Sequence, residues 1–344
     1  MRTNSFRGFI LGVLLVTLLC PASELALLAQ NQNQNQSQSQ SKDKQPPPAP
    51  EQAPGGFAIS VTVPVVSVDV VVTDNNGNYL TGLKKENFRI TEDGTVQTIT
   101  NFAPTDAPIT IVLLLEFSKL GYQVFSVNAI NWAAAFLGNL KKTDWVALET
   151  FNMRPHVDVD FTHNGNDVMQ GLSQLYFPPF SESNLFDAIS DVLDRIKDVK
   201  GKKSVLVLAS GIDTFSKMNL DQAMKRIRET DATIFTIGVG AQLFMAAESS
   251  AAGGGFGQQL NFIQAENQMR TFASMTGGRA WFPRFDGEIP SIMQDVAASL
   301  RNQYSMAYSP SNTALDGKYR KIKVEPTNKD LKVLARRGYY APKS

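Results

Sequence analysis

Histidine and cysteine are nearly absent: 344 residues include two histidines and one cysteine. That scarcity excludes zinc fingers, iron–sulfur sites and internal disulfides. An excess of charge of one sign is missing too. Lys and Arg number 33 against 32 Asp and Glu, a formal charge of +1, so no global field marks nucleic acid or an anionic membrane as partner. Charged residues make up 19 % of the chain, below the usual roughly 25 %. Gly 24 and Pro 17 are average shares, which rules out collagen-like and wholly disordered chains. What is present is 43 % hydrophobic residues, over a length sufficient for two packed units and a tail.

The first residues carry a basic start at Arg2 and Arg7, an apolar run from Phe9 to Leu19, and small residues at Ala22, Ala26 and Ala29. This layout predicts a signal peptide over 1–29, cleaved after Ala22 or Ala29, and a secreted, periplasmic or cell-envelope location. The run falls short of the roughly 20 residues that span a bilayer. Membrane attachment would require an uncleaved signal or a lipid anchor on Cys20. Residues 30–56 read QNQNQNQSQSQSKDKQPPPAPEQAPGG, with almost nothing to bury against the entropy of ordering, and are expected to form a disordered linker.

From Phe57 the pattern becomes that of strands. Val66, Val68, Val70 and Val72 recur at period two, and Asp74-Asn75-Asn76-Gly77-Asn78 and Glu92-Asp93-Gly94 supply turns. A small, sandwich-like β domain is expected over 57–104. At Ile109 an unbroken apolar run, ITIVLLLEF, predicts a strand buried on both faces of a parallel sheet. Helix-period stripes follow at Val127, Ile130, Ala134 and Leu137, then at Leu185, Ile189, Val192 and Ile196. Strands are expected at Trp145–Phe151, Ser204–Leu208 and Thr233–Val239. The alternation predicts an α/β fold over 107–302, Rossmann-like, with a mostly parallel open sheet that binds ligands at its carboxyl ends. Residues 303–344 return to strands. Between Asp316 and Ser344 nine basic residues stand against three acidic ones, and the alternation of Lys321, Lys323 and Glu325 with Ile322 and Val324 places these charges on a wet strand face.

The order IVLLLEFSKL, SNLFDAI, VLVLASGIDTFS and ATIFTIGVG resembles a von Willebrand factor A domain. The flanks VTDNNGNYLTGLKKENFRITEDG, SMTGGRAWF, LRNQYSMAYSP and DGKYRKIKV…ARRGYYAP are similar to a family of exported acidobacterial proteins that carry such a domain between β segments. The resemblance implies a metal-ion-dependent adhesion site, where a D-x-S-x-S loop, a Thr and an Asp surround Mg²⁺ and a partner's acidic residue completes the shell. Mg²⁺ wants near-octahedral oxygens, including one or two carboxylates. In this sequence Glu116 replaces the first Asp, Ser118 is retained, and Leu120 replaces the second Ser. Ser183 stands for the Thr and Ser210 for the Asp, with Asp213 nearby. The resemblance therefore implies a degenerate site without a required cofactor. The alternative is a working Mg²⁺ or other divalent-cation site on Glu116, Ser118, Ser183 and Asp213.

Enzyme chemistry finds little support. His156 and His163 flank Asp158 and Asp160, but HVDVDFTH alternates like a strand, and Ser118 has no neighbouring histidine to act as base. Gly253-Gly254-Gly255-Phe256-Gly257 lacks the Lys-Ser/Thr of a phosphate loop and reads as a loop. The expected function is a non-enzymatic binding module for a protein or cell-surface ligand, with a hydrolase as the remote alternative. Candidate contacts are Phe117, Lys119, Leu120, Tyr122, Tyr176, Phe180 and Phe215, since aromatics are enriched among binding anchors.

Overall fold

The computed structural model describes residues 65–119, 129–178, 180–240, 242–243 and 256–343. The signal and linker segments, Leu120 and Tyr122 lie outside the described residues. The central sheet has six strands: β5 (Ile109–Glu116), β6 (Trp145–Phe151), β7 (Pro155–Thr162), β8 (Lys202–Ala209), β9 (Thr233–Gly238) and β10 (Ala280–Trp281). Their order is β10-β9-β8-β5-β6-β7, parallel except for the edge strand β7, which returns antiparallel beside β6. The HVDVDFTH segment is thus an edge strand with exposed His156. Its side chains are all partly or fully exposed, as an edge position allows, whereas those of β5 are nearly all buried.

The β5 side chains alternate between two cores because successive residues point to opposite faces. Ile109, Ile111 and Leu113 pack with α1 (Ala129–Leu137), α2 (Gly165–Ser173) and α6 (Ile289–Arg301). Val112 and Leu114 pack with α3 (Leu185–Ile196), α4 (Leu220–Glu229) and α5 (Phe256–Thr276). The α3 stripe of Leu185, Ile189, Val192 and Ile196 is buried as its period predicts. In α1 the expected face is wrong. The helix buries Trp132, Ala133 and Phe136, leaving Ile130 and Ala134 exposed; Val127 lies outside the described residues. Two large aromatics remove more apolar area from water than the smaller stripe would, and they set the rotation. Phe256 and Gly257, expected in a loop, open α5.

The terminal β segments, read from sequence as a domain at 57–104 and a separate tail at 303–344, are interleaved. One sheet has the order β13-β1-β11-β4 and the other β14-β12-β2-β3. Here β1 is Val66–Thr73, β2 Phe88–Glu92, β3 Thr95–Gln97 and β4 Ile99–Pro104; β11 is Gln303–Tyr308, β12 Tyr319–Pro326, β13 Lys332–Ala335 and β14 Gly338–Tyr340. Val68, Val70, Val72, Phe88, Ile90, Tyr304, Met306 and Ile322 share one core, so the two sheets form a single sandwich. Lys321 and Lys323 occupy the exposed face of β12, as expected, but Arg320 is buried against Glu92 at 3.7 Å.

Candidate functional site

The strand order reverses at β5, whose neighbours β6 and β8 lead away on opposite sides. The crevice beyond the carboxyl end of such a strand is where an open α/β sheet binds ligands. Glu116 is the last residue of β5 and is fully buried. Ser118 Oγ donates to Glu116 Oε1 at 2.7 Å, and the Ser210 N–H donates to Oε2 at 2.7 Å. Burial pushes the Glu116 carboxyl up, against the opposing pull of Ser210, Ser118 and Ser183. The Ser183 hydroxyl lies close enough to favour the carboxylate, yet it is buried and completes no hydrogen bond among the described residues. Four of the expected positions therefore converge.

Backbone hydrogen bonds lock the converging loops together. Phe117 N–H donates to Phe151 O at 2.7 Å, Lys119 N–H to Phe180 O at 2.8 Å, and Thr214 and Phe215 N–H to Ser183 O at 2.8 and 2.9 Å. Gly211, directly after Ser210, takes φ +82°, a left-handed turn that a Cβ would strain. Asp213 bonds to the start of α3 and to Ser216. Its Oδ2 accepts the Phe186 N–H at 2.9 Å and the Ser216 hydroxyl at 2.5 Å, and its Oδ1 accepts the Ser216 N–H at 3.2 Å. It caps the start of α3, where Asn184 supplies no side-chain cap. Asp187 in the first turn of α3 holds the Lys217 and Met218 amides at 3.0 and 3.1 Å.

Around this buried centre the loops carry exposed aromatics. Tyr176 is 85 % exposed, Phe177 63 %, Phe180 44 % and Phe215 46 %. Lys119 is also exposed, whereas Phe117 is half-buried. Phe177 belongs to the same 176–180 stretch as the candidates Tyr176 and Phe180. The histidines are occupied separately: His156 Nδ1 contacts Asp158 at 3.0 Å, and His163 Nδ1 meets Asp144 O at 2.8 Å while its ring lies on Trp145. Among the described residues no three His, Cys, Asp or Glu side chains are grouped to hold a metal, and no helix is long and apolar enough to cross a membrane.

A doubly wound sheet with an acidic residue ending its switch-point strand, ringed by hydroxyl-bearing loops, defines a von Willebrand A-type α/β fold. Residues 110–277, just under half of the chain, match the model of the von Willebrand factor type A domain, and this part of the chain is such a domain. No curated protein is significantly similar in sequence. Solved structures that resemble it include the von Willebrand domain of the type V pili tip protein Mfa5 from Porphyromonas gingivalis, at 10 % identity over 57 % of this chain and 96 % of that one, with a TM-score of 0.41. Another is proximal thread matrix protein 1 from the mussel byssus with a zinc-occupied MIDAS motif, at 14 % identity over 61 % and 50 %, TM-score 0.44. The PilB minor pilin from Streptococcus sanguinis aligns at 8 % identity over 58 % and 63 %, TM-score 0.42. This chain thus spans about half the length of the mussel protein.

Proposed function

We propose that this chain is an exported, non-enzymatic protein-binding module whose metal-ion-dependent adhesion site is degenerate, and which engages its partner through the aromatic loops around that site. The observation that carries this reading is the contrast between a closed polar centre and its apolar rim. Both oxygens of Glu116 are already engaged, one by the Ser118 hydroxyl and the other by the Ser210 N–H. Asp213 is spent on the α3 terminus. This donor set does not fit a divalent ion, which asks for several free oxygens. Tyr176, Phe177, Phe180 and Phe215 meanwhile present large, low-entropy side chains to solvent. Export rests on the N-terminal basic-apolar-small pattern.

A second reading, a working cation site on Glu116, Ser118 and Ser183, draws on the unpartnered Ser183 hydroxyl. Thermal melts in Mg²⁺, Mn²⁺ or EDTA separate the two, because an ion that binds only the native state must raise Tm. The degenerate-site reading expects superimposable melts; an upward shift abolished in Glu116→Ala would establish the second. Affinity capture from envelope extracts tests the rim. The Tyr176→Ser/Phe180→Ser double variant is expected to keep the wild-type Tm and lose the captured protein, with EDTA making no difference.

A further inference from the structure

At the end of the central sheet opposite Glu116, a cleft of about 670 Å³ separates the amino ends of β8 and β9 from the β sandwich. Its volume lies within the roughly 300–1,000 Å³ of small-molecule sites, which favour such junctions. Ser67 and Asp69 line it because they alternate with the core valines of β1, and Asp69 stands opposite Ser305 of β11 in the strand register. Lys202 at the start of β8 and Arg336 after β13 complete the charged lining.

The rim acids are neutralised: Asp106 pairs with Lys141, and Asp231 with Lys203 at 3.0 Å. Lys202, Arg336 and Asp69 remain, an excess of one positive charge. Arg336 donates through Nε to Gly338 O at 2.9 Å and through Nη2 to Thr230 O at 3.2 Å, while its Nη1 meets no acceptor among the described residues. Lys202 Nζ donates to Gln303 Oε1, which leaves two of its three N–H bonds for a ligand. An unfilled guanidinium nitrogen, the Lys202 ammonium and the Ser67 and Ser305 hydroxyls match a ligand with one negative charge and several hydroxyls. A phosphate dianion would over-compensate this lining and face Asp69.

We propose that the cleft binds a small hydroxylated carboxylate of the sugar-acid or hydroxy-acid class, with the carboxylate between Lys202 and Arg336 and its hydroxyls on Ser67 and Ser305. Burial pushes the Lys202 amine down to about 8, with Arg301 acting in the same direction and Asp69 opposing. Asp106, Asp231 and Arg336 are the other charged groups at the cleft. Anion binding that needs the ammonium form therefore weakens as pH rises through about 8.

Isothermal titration of the full chain with D-galacturonate and with L-lactate tests this, using D-galactose and inorganic phosphate as comparators. At least one of the two acids is expected to bind at millimolar concentration or tighter, with affinity roughly ten-fold lower at pH 9 than at pH 7. Arg336→Gln should abolish binding. Ser67→Ala alters an exposed position of β1, so it should fold normally and lose about five-fold in affinity, the worth of one hydrogen bond. Binding of neither acid, equal binding of galactose, tighter binding of phosphate, or unchanged affinity in Ser67→Ala would each overturn the proposal.

Discussion

Glu116 is a carboxyl in a place that disfavours its charge, and its hydrogen bonds suit the neutral form as well as the ionised one. Oε2 must accept, since it faces the Ser210 N–H, whereas Oε1 faces a Ser118 hydroxyl that can either donate or accept. A glutamine placed the same way keeps its carbonyl on Ser210 and donates to Ser118. The folded-state pKa of Glu116 is raised, so the native state holds its proton longer than the unfolded chain does. Its contribution to stability is therefore greatest at low pH and declines as pH rises from the unfolded pKa through the folded one. Glu116→Gln is expected to stay within about 1 kcal/mol of wild type at pH 5 and to flatten the decline towards pH 9 in urea titrations. Glu116→Ala leaves a buried N–H and a void, and should cost about 2–4 kcal/mol. A steeper pH dependence in Glu116→Gln would mean that the carboxylate is stabilised in the fold.

At the scale of elements, α6 is tied to its surroundings by one carboxylate. Asp295 accepts the Tyr79 hydroxyl at 2.5 Å, Arg279 at 2.9 Å and the Trp281 indole N–H at 3.0 Å. It thereby joins the turn after β1, the edge strand β10 and the helix. Tyr79→Phe should cost about 1 kcal/mol and speed amide exchange in α6 more than in α3, as measured by hydrogen–deuterium exchange. Equal α6 protection in wild type and Tyr79→Phe would show that apolar packing alone holds the helix. None of this network was legible in the sequence, because its members come from three distant segments and no local period links them. What was legible is what has a local cause. The unbroken run of β5, the alternating valines of β1 and the α3 stripe each state their own environment. The rotation of α1 was not legible, since two overlapping stripes competed and only the neighbouring α6 and sheet decide between them. For the candidate site, the convergence of Glu116, Ser118, Ser183 and Ser210 followed from the resemblance and the switch-point rule. The capture of Asp213 by the α3 terminus depended on a cap that Asn184 fails to supply, which only the folded backbone reveals.

At the scale of the molecule, the α/β domain is enclosed by a sandwich made from both of its flanks. Val66 pairs with Tyr308 and Ile90 with Val324, so these contacts bridge the whole intervening domain. Glu92 fastens the two flanks internally, accepting the Tyr308 hydroxyl at 2.7 Å and the Tyr339 hydroxyl at 2.9 Å. Long-range pairing of this kind repays its loop-closure entropy only once the segment between is compact, which makes it late and vulnerable. A chain of residues 65–302 keeps both cores of the α/β domain but loses β11 and β13, the partners of β1, and β12, one of the two partners of β2. Val68 and Val70 would then face water on a strand without partners, and Phe88 and Ile90 on a β2–β3 hairpin with an open edge, a template for edge-to-edge association. Size-exclusion chromatography should find that fragment aggregated, while residues 107–302, which shed both flanks, stay monomeric with a cooperative melt. A soluble, monomeric 65–302 fragment would mean that the amino-terminal strands fold without the carboxyl-terminal ones, and the interleaved sandwich would lose its role as a single cooperative unit.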